Sequence, residues 1–240
     1  MPTKNQYGQP IGDPVRPDRV PAAIPRARAI FGTHCRLEPL DPDRHARELH
    51  DAHSAAPDSR DWTYTSVEPF PSFESYYDWA VSAAASADPR HFSVIDNASG
   101  HALGTMALAR HDPNNGVIEV GYVNFSRSLQ TTTASTEAQF LLMRHVFDDL
   151  KYRRYEWKCD SLNAPSRKAA TRLGFTYEGT FRQAVVYKGR NRDTAWFALL
   201  DRDWPRVRAA FQEWLDPTNF DADGRQRSRL RIAGADGADG

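Results

Sequence analysis

The spacing of apolar residues along the chain changes period several times, and each change marks an element. Cys35–Leu40 reads as a short strand. Asp41-Pro-Asp-Arg then supplies an N-cap and a proline at the first helical position, predicting a helix through about Ser54. Ser72–Ser86 predicts a second helix. Phe92–Asp96 and Ala102–Arg110 alternate or run apolar around Asn97-Ala-Ser-Gly100, the pattern of a hairpin, and Val117–Phe125 follows the turn Asp112–Gly116 as a further strand. From Thr133 to about Leu150, Ala138, Leu141, Leu142, His145 and Val146 fall on one helical face and Phe140, Met143 and Phe147 on a second, so this helix should be buried nearly all round. Arg154–Asp160, Ala164–Leu173, Phe175–Tyr187 and Thr194–Leu200 read strand, helix, strand, strand, the last two joined by Lys188-Gly-Arg-Asn191. A strand meander followed by strand-helix-strand-helix-strand predicts an α/β fold: a mixed sheet with helices on both faces.

The ends of the chain lack these periods. The first 29 residues hold prolines at positions 2, 10, 14, 17, 21 and 25 and predict an extended arm, either lying on the domain or floating free and suited to homodimer contacts. The domain is expected over residues 30–215. Residues 216–240, rich in Asp, Arg, Ala and Gly from Phe220 onward and closing on a Gly-Ala-Asp repeat, are expected to be a disordered tail.

Composition narrows the function. With 31 Lys+Arg against 31 Asp+Glu among 240 residues there is no basic surplus for a nucleic-acid backbone, so nucleic acid is not expected as a partner. Mean hydropathy is −0.66 and no apolar run approaches the roughly 20 residues of a membrane span, so no membrane is expected either. Met1-Pro-Thr-Lys-Asn-Gln has no apolar signal region, which points to the cytoplasm. Cys35 and Cys159 lie far apart and should be reduced, at least one of them buried in a strand. The 8 His residues show no metal-ligand spacing, so no metal is expected, and His145 reads as a core histidine. There is no GxSxG elbow and no Walker loop.

The most informative stretch is Val117–Ala138, a strand, a short loop and the N-terminus of a buried helix. Unpaired N–H groups and the helix dipole make such a junction an anion site suited to a phosphate or pyrophosphate, and Thr131, Thr132, Thr133 and Ser135 crowd it. The plainer reading is that one Thr caps the helix and the others are solvated. A second constellation is Asn163-Ala-Pro-Ser-Arg-Lys-Ala-Ala-Thr-Arg-Leu-Gly-Phe175, where Asn163 can cap a helix and Gly174 can end it.

Over residues 30–200 the order of these motifs resembles the GNAT superfamily of acyl-CoA-dependent N-acyltransferases, in its ribosomal-protein N-terminal acetyltransferase branch. Glu119, Gly121 and Tyr122 match a strand Glu-x-Gly-Tyr; Thr136, Glu137 and Ala138 match Thr-Glu-Ala on the helix after the pyrophosphate loop. Asn163, Ser166, Gly174 and Phe175 match Asn-x-x-Ser and Gly-Phe, and Tyr177–Gln183 with Lys188–Arg190 and Asp193 looks like the last hairpin of that branch. The chain departs from the pattern twice. Thr133 stands at the first loop glycine, with Gln130 on the leading Gln/Arg position and Ser135 on the small residue, and Ala170 stands where many members carry a Tyr that protonates the leaving thiolate.

The resemblance implies acetyl-CoA as donor and direct transfer to a primary amine, either a protein N-terminus or a small molecule, in a ternary complex. It assigns Glu119 as the catalytic carboxylate, in a setting expected to be apolar; a salt-bridged strand residue is the alternative. Ser166 becomes the proton donor to the thiolate and Asn163 the residue ordering a water or the cofactor amide, against plain helix-start roles for both. Cofactor contacts are implied at Val123, Phe125, Gln130, Thr131, Thr132, Thr133, Ala134, Ser135 and Asn163, with an oxyanion held by backbone N–H near Val123. Trp62, Tyr64, Arg182 and Lys188 are implied to wall the acceptor groove, although Trp62 is equally placed to be core. Asp193 reads as the structural partner of an Arg in its own hairpin. The rival is a GNAT-like CoA-binding or partner-binding module with little turnover.

Overall fold

A computed structural model describes residues 3–232. Its centre is an eight-stranded sheet in the order β3-β4-β5-β6-β7-β8-β10-β9, formed by β3 (Ile30–Phe31), β4 (Cys35–Pro39), β5 (Arg90–Asp96), β6 (Ala102–Asp112), β7 (Val117–Phe125), β8 (Arg154–Asp160), β9 (Thr176–Tyr187) and β10 (Arg190–Leu200). All pairs are antiparallel except β7 with β8, so the mixed α/β sheet read from the sequence is present.

Two helices cover one face at the β4–β6 end. In α1 (Pro42–Ser54) the Asp41 carboxylate accepts from the Asp43 and Arg44 N–H groups, and α2 (Phe73–Ala85) opens with a Ser72/Ser75 capping box. Leu49, Tyr76, Ala80 and Ile95 form the core beneath them. The opposite face carries α3 (Thr133–Arg144), α4 (Ala164–Arg172) and α5 (Trp204–Trp214) over a larger core that includes Leu108, Val120, Leu142, Trp157 and Phe211. Every residue of α3 from Ala134 to Met143 is buried, as its all-round apolar pattern requires. The helix continues as a π turn, His145–Asp149, in which the buried His145 ring pairs through Nδ1 with Asp149 at 2.8 Å. Among the described residues no helix is long and apolar enough to cross a membrane.

Three expectations are corrected. First, α5 was not anticipated; Trp204, Val207, Phe211 and Trp214 line its buried face. Second, the arm is not extended throughout, since it begins with a two-stranded pair, β1 (Thr3–Lys4) and β2 (Pro10–Ile11); of the two placements expected for it, its later part takes the one on the domain, with Ala22 N–H donating to Pro113, Ala23 N–H to Leu150, and Ala22 buried. Third, the tail is built in as far as Ile232. Leu230 and Ile232 are buried, and Gly174 has φ +94°, which favours glycine, while a Cβ there would press on the end of the Ile232 side chain at 2.8 Å. Two apolar anchors suffice to dock a segment that is polar on average. Residues 233–240, with the Gly-Ala-Asp repeat, lie outside the described residues. Both cysteines are free and buried, Cys35 in β4 and Cys159 in β8.

Candidate active site

β7 and β8 pair in parallel only from Val117↔Arg154 to Val120↔Trp157. Beyond Val120, β7 stays with β6 through Ala107↔Gly121 and Thr105↔Asn124, while β8 stays with β10 through Thr194↔Asp160. A wedge opens between Gly121–Phe125 and Lys158–Asp160. It starts at a bulge where Tyr122 and Val123 together face Met106, with Tyr122 at φ +53°. Gly121–Phe125 thus has no strand partner on its β8 side.

The wedge leads into the loop Ser126–Thr132 and the N-terminus of α3. Thr132 caps the helix: its Oγ1 accepts from Ser135 N–H at 3.1 Å and donates to the Leu129 carbonyl, and the Ser135 hydroxyl donates back to the Thr132 carbonyl. The Gln130 side chain donates to the Phe125 carbonyl at 2.8 Å, bracing the loop. Among the described hydrogen bonds, the N–H groups of Thr131, Thr133 and Ala134 have no acceptor. Those of Thr133 and Ala134 edge a hollow of about 380 Å³, walled on its far side by Thr33, His34 and Asp96–Ala98. Thr131 takes φ +61°, so the left-handed position of the loop falls there; Thr133 is the first residue of the helix and needs no glycine conformation. A buried carboxylate fixes the far wall: Glu137 accepts from the N–H groups of Thr33, His34 and Cys35 at 2.6–2.8 Å.

Glu119 is buried, but its surroundings are ionic, which corrects the apolar setting expected for it. Its Oε2 lies 2.8 Å from Lys158 Nζ and 3.1 Å from Arg110 Nε. Lys158 also reaches Glu156 at 2.7 Å and stacks over the Trp196 ring at 3.8 Å, and Glu156 continues the chain to Arg154 and Glu178. The even positions Arg154, Glu156, Lys158 and Asp160 carry charge, and the odd positions Tyr155, Trp157 and Cys159 pack into the core, which is the period-two signal of a strand between two environments.

On the β8 side of the wedge, Asn163 caps α4 by accepting from Ser166 N–H at 3.1 Å, and the Ser166 hydroxyl accepts from Trp157 Nε1 at 3.0 Å. Burial pushes the neighbouring Cys159 thiol up, an effect the Ser166 hydroxyl partly offsets. Ala170 is fully buried in the core and leaves no room for a phenol. The phenol present at this end of β8, missed by sequence reasoning, is Tyr187, which donates to Asp160 Oδ2 at 2.8 Å. Burial and that carboxylate raise its pKa.

The segment between α1 and α2 crosses the mouth of the wedge. Arg127, just after β7, pairs with Asp61, and from the other side Lys188 Nζ donates to the Trp62 carbonyl at 2.7 Å and Arg190 to the Thr63 carbonyl at 2.9 Å. Trp62 itself is buried, packed edge-on against His53 and Phe70, and half-buried Tyr64 stands beside it. Arg182 is exposed on β9 and makes no described contact with this segment. Asp193 accepts from Gln183 N–H and Asn191 Nδ2, and these bonds, with the Arg182 charge of the same hairpin, lower its pKa. Between the segment and β7 an aromatic row runs from Phe70 through Tyr76, Trp79 and His91 to Tyr122. Among the described residues no group of three or more His, Cys, Asp or Glu could hold a metal ion.

Residues 34–176 match the family model described as an acetyltransferase (GNAT) domain. The crystal structure of a GCN5-related N-acetyltransferase from Brucella melitensis is 46% identical, covers 88% of this chain and 96% of its own, and superposes with a TM-score of 0.86. An uncharacterized N-acetyltransferase named p20, from Bacillus licheniformis, is 33% identical over 113 residues, 47% of this chain and 63% of that protein. A protein named as a ribosomal N-acetyltransferase, YdaF of Bacillus subtilis, is 28% identical over 105 residues, 44% of this chain and 57% of that protein. The match thus spans less than two thirds of the length of either of these two curated relatives. With the wedge, the donor-rich helix start and more than half the chain matched to one model, this chain belongs to the GNAT acetyltransferase family.

Proposed function

We propose that the chain is a cytoplasmic acetyl-CoA-dependent N-acetyltransferase that passes the acetyl group directly to a primary amine within a ternary complex. The observation that carries this reading is the wedge between β7 and β8 opening onto unpaired N–H donors at the start of a buried helix. Acetyl-CoA, when bound, supplies an activated thioester whose thiolate, of ordinary pKa about 8.5, is a fair leaving group. The free N–H groups of Thr131, Thr133 and Ala134 suit its diphosphate, with the α3 dipole behind them. The Thr133 side chain stands where the family pattern has glycine, yet its own N–H is still free.

The β7 backbone near Val123, which has no strand partner on its β8 side, is the candidate N–H donor for the oxyanion. The Glu119 carboxylate receives the amine's proton, directly or through water, while Lys158 and Arg110 fix its position. An α-amino group with pKa near 7.7–8.0 is already partly neutral at physiological pH, so the demand on this base is modest. Ser166 and Asn163 are occupied as a Trp157 acceptor and a helix cap, which favours orienting roles for them; Tyr187 joins Ser166 as a candidate donor to the thiolate. The acceptor is a protein N-terminus or a small amine, and the YdaF relative, named a ribosomal N-acetyltransferase, favours a protein acceptor. The exposed first turn of the arm suits contacts with a second copy.

The ionic bonds of Glu119 equally motivate the rival, a CoA-binding module with little turnover. Thermal unfolding with acetyl-CoA and desulfo-CoA, followed by thiol release against an amine panel, separates the two. Ligand at a hundredfold excess over Kd adds about 2.7 kcal/mol of stability. The expected result is a shift with both ligands, thiol release with acetyl-CoA, and at least a tenfold loss of rate in Glu119→Gln. A shift with no release, and no effect of that substitution, would favour the module; no shift at all would overturn both readings.

A further inference from the structure

The ties across the mouth of the wedge leave a hollow of about 290 Å³, lined by Ser59, Trp62, Thr63, Glu68, Pro69, Lys188 and Arg190. Its innermost charge is Lys188, whose side chain is 10% exposed and held by the Trp62 carbonyl. The remaining reach of that ammonium goes to Glu68 at 3.1 Å, and Glu68 is 70% exposed. A nearly buried cation is therefore matched with a carboxylate that solvent can draw away at little cost. Lys188, at φ +48°, and Gly189, at φ +67°, form the left-handed two-residue turn that joins β9 to β10 and sets the Lys188 side chain against the hollow. Arg190 adds a second cation, so two positive groups face one negative.

We infer that this hollow is a subsite for a carboxylate carried by the acceptor, with Lys188 as the specificity-determining residue and Glu68 as an internal stand-in that the acceptor displaces. The inference rests on the acetyltransferase reading for its place in the reaction, but not for its binding test. Two sources of such a carboxylate fit: the side chain of an acidic residue next to a peptide's free N-terminus, or a small amino acid.

The test is calorimetric titration of the full chain, with and without desulfo-CoA, by two pairs of ligands that differ in one carboxylate: the peptide amides Ala-Glu-Ala-Ala and Ala-Gln-Ala-Ala, and free alanine and alaninamide. The expected result is that the acid of at least one pair binds about tenfold more tightly than its amide. Lys188→Met should bring that ratio below about twofold, with its response to desulfo-CoA in thermal unfolding reporting that the fold and the other end of the site persist. Glu68→Gln should widen the ratio, a gain that misfolding does not produce. The inference is overturned if neither acid outbinds its amide, if the preference survives Lys188→Met, or if Glu68→Gln narrows it. Failure of acetyl-CoA to bind or release thiol would instead strike the acetyltransferase reading and leave the charge preference measurable.

Discussion

At Thr131 the backbone turns left-handed at φ +61°, and a β-branched side chain pays for that turn more heavily than most. The position lies in the loop that presents the free amides to the hollow, so the strain sits beside the site. Relief of about 1–2 kcal/mol by glycine is partly offset by its greater freedom in the unfolded chain. Thr131→Gly is therefore expected to stabilise by up to about 1 kcal/mol, read as a higher urea midpoint. The loop register was legible from Gly121 and Glu137 outward, but which residue would carry the left-handed turn was not. That is decided by how Ser126, Leu129 and Gln130 close the loop, with Leu129 and Gln130 both donating to the Ser126 carbonyl. The partners of Glu119 were hidden for a related reason: Lys158 lies 39 positions away and meets it only because β7 and β8 pair side by side.

Elements were read more readily than contacts because period and capping are local. Asp41, Ser72 and Thr132 announce α1, α2 and α3, and each accepts the N–H bond its type suggests. The signal for α5 was equally present: Trp204, Val207, Phe211 and Trp214 fall at helical spacing among Arg206, Arg208 and Glu213. The docked end of the chain was hidden because average composition conceals two anchoring residues. Besides core packing and a bond from Arg144 to the Phe31 carbonyl, α3 is joined to the sheet edge by Glu137, whose three bonds to successive N–H groups hold the β3–β4 turn. Glu137→Ala strips charge-assisted bonds from three donors and is expected to cost about 3 kcal/mol in chemical denaturation. Faster amide exchange at Thr33–Cys35 should accompany it, with a weaker response to acetyl-CoA, because that turn walls the hollow at the helix start.

Among the described residues, burial lowers the pKa of four imidazoles, His45, His53, His91 and His145, and two of them far enough to stay neutral well into acid. His53 and His91 are both lowered to about 4, and for His91 the Arg90 charge adds to the desolvation, whereas for His53 the Asp61 charge opposes it. Unfolded, each takes up a proton near pH 6.5. The unfolded chain therefore binds more protons than the folded one between pH 6.5 and 4, so stability is constant above this window and lost as pH falls through it. The melting temperature is expected to drop from pH 6.5 to 5, before most carboxylates titrate, and His91→Leu should flatten that slope.

The parting of β7 and β8 has a mechanical meaning as well. Strand order follows the chain closely on either side of these two strands, so each half of the sheet is assembled largely from its own neighbours, and the halves are stitched together by four residue pairs. The seam runs through the middle of the reaction site. An extended ligand lying in the wedge, as proposed for the cofactor, would take up the edge that β7 leaves open and act as a splint between the halves, so the protein is expected to be stiffer across its centre with that ligand in place.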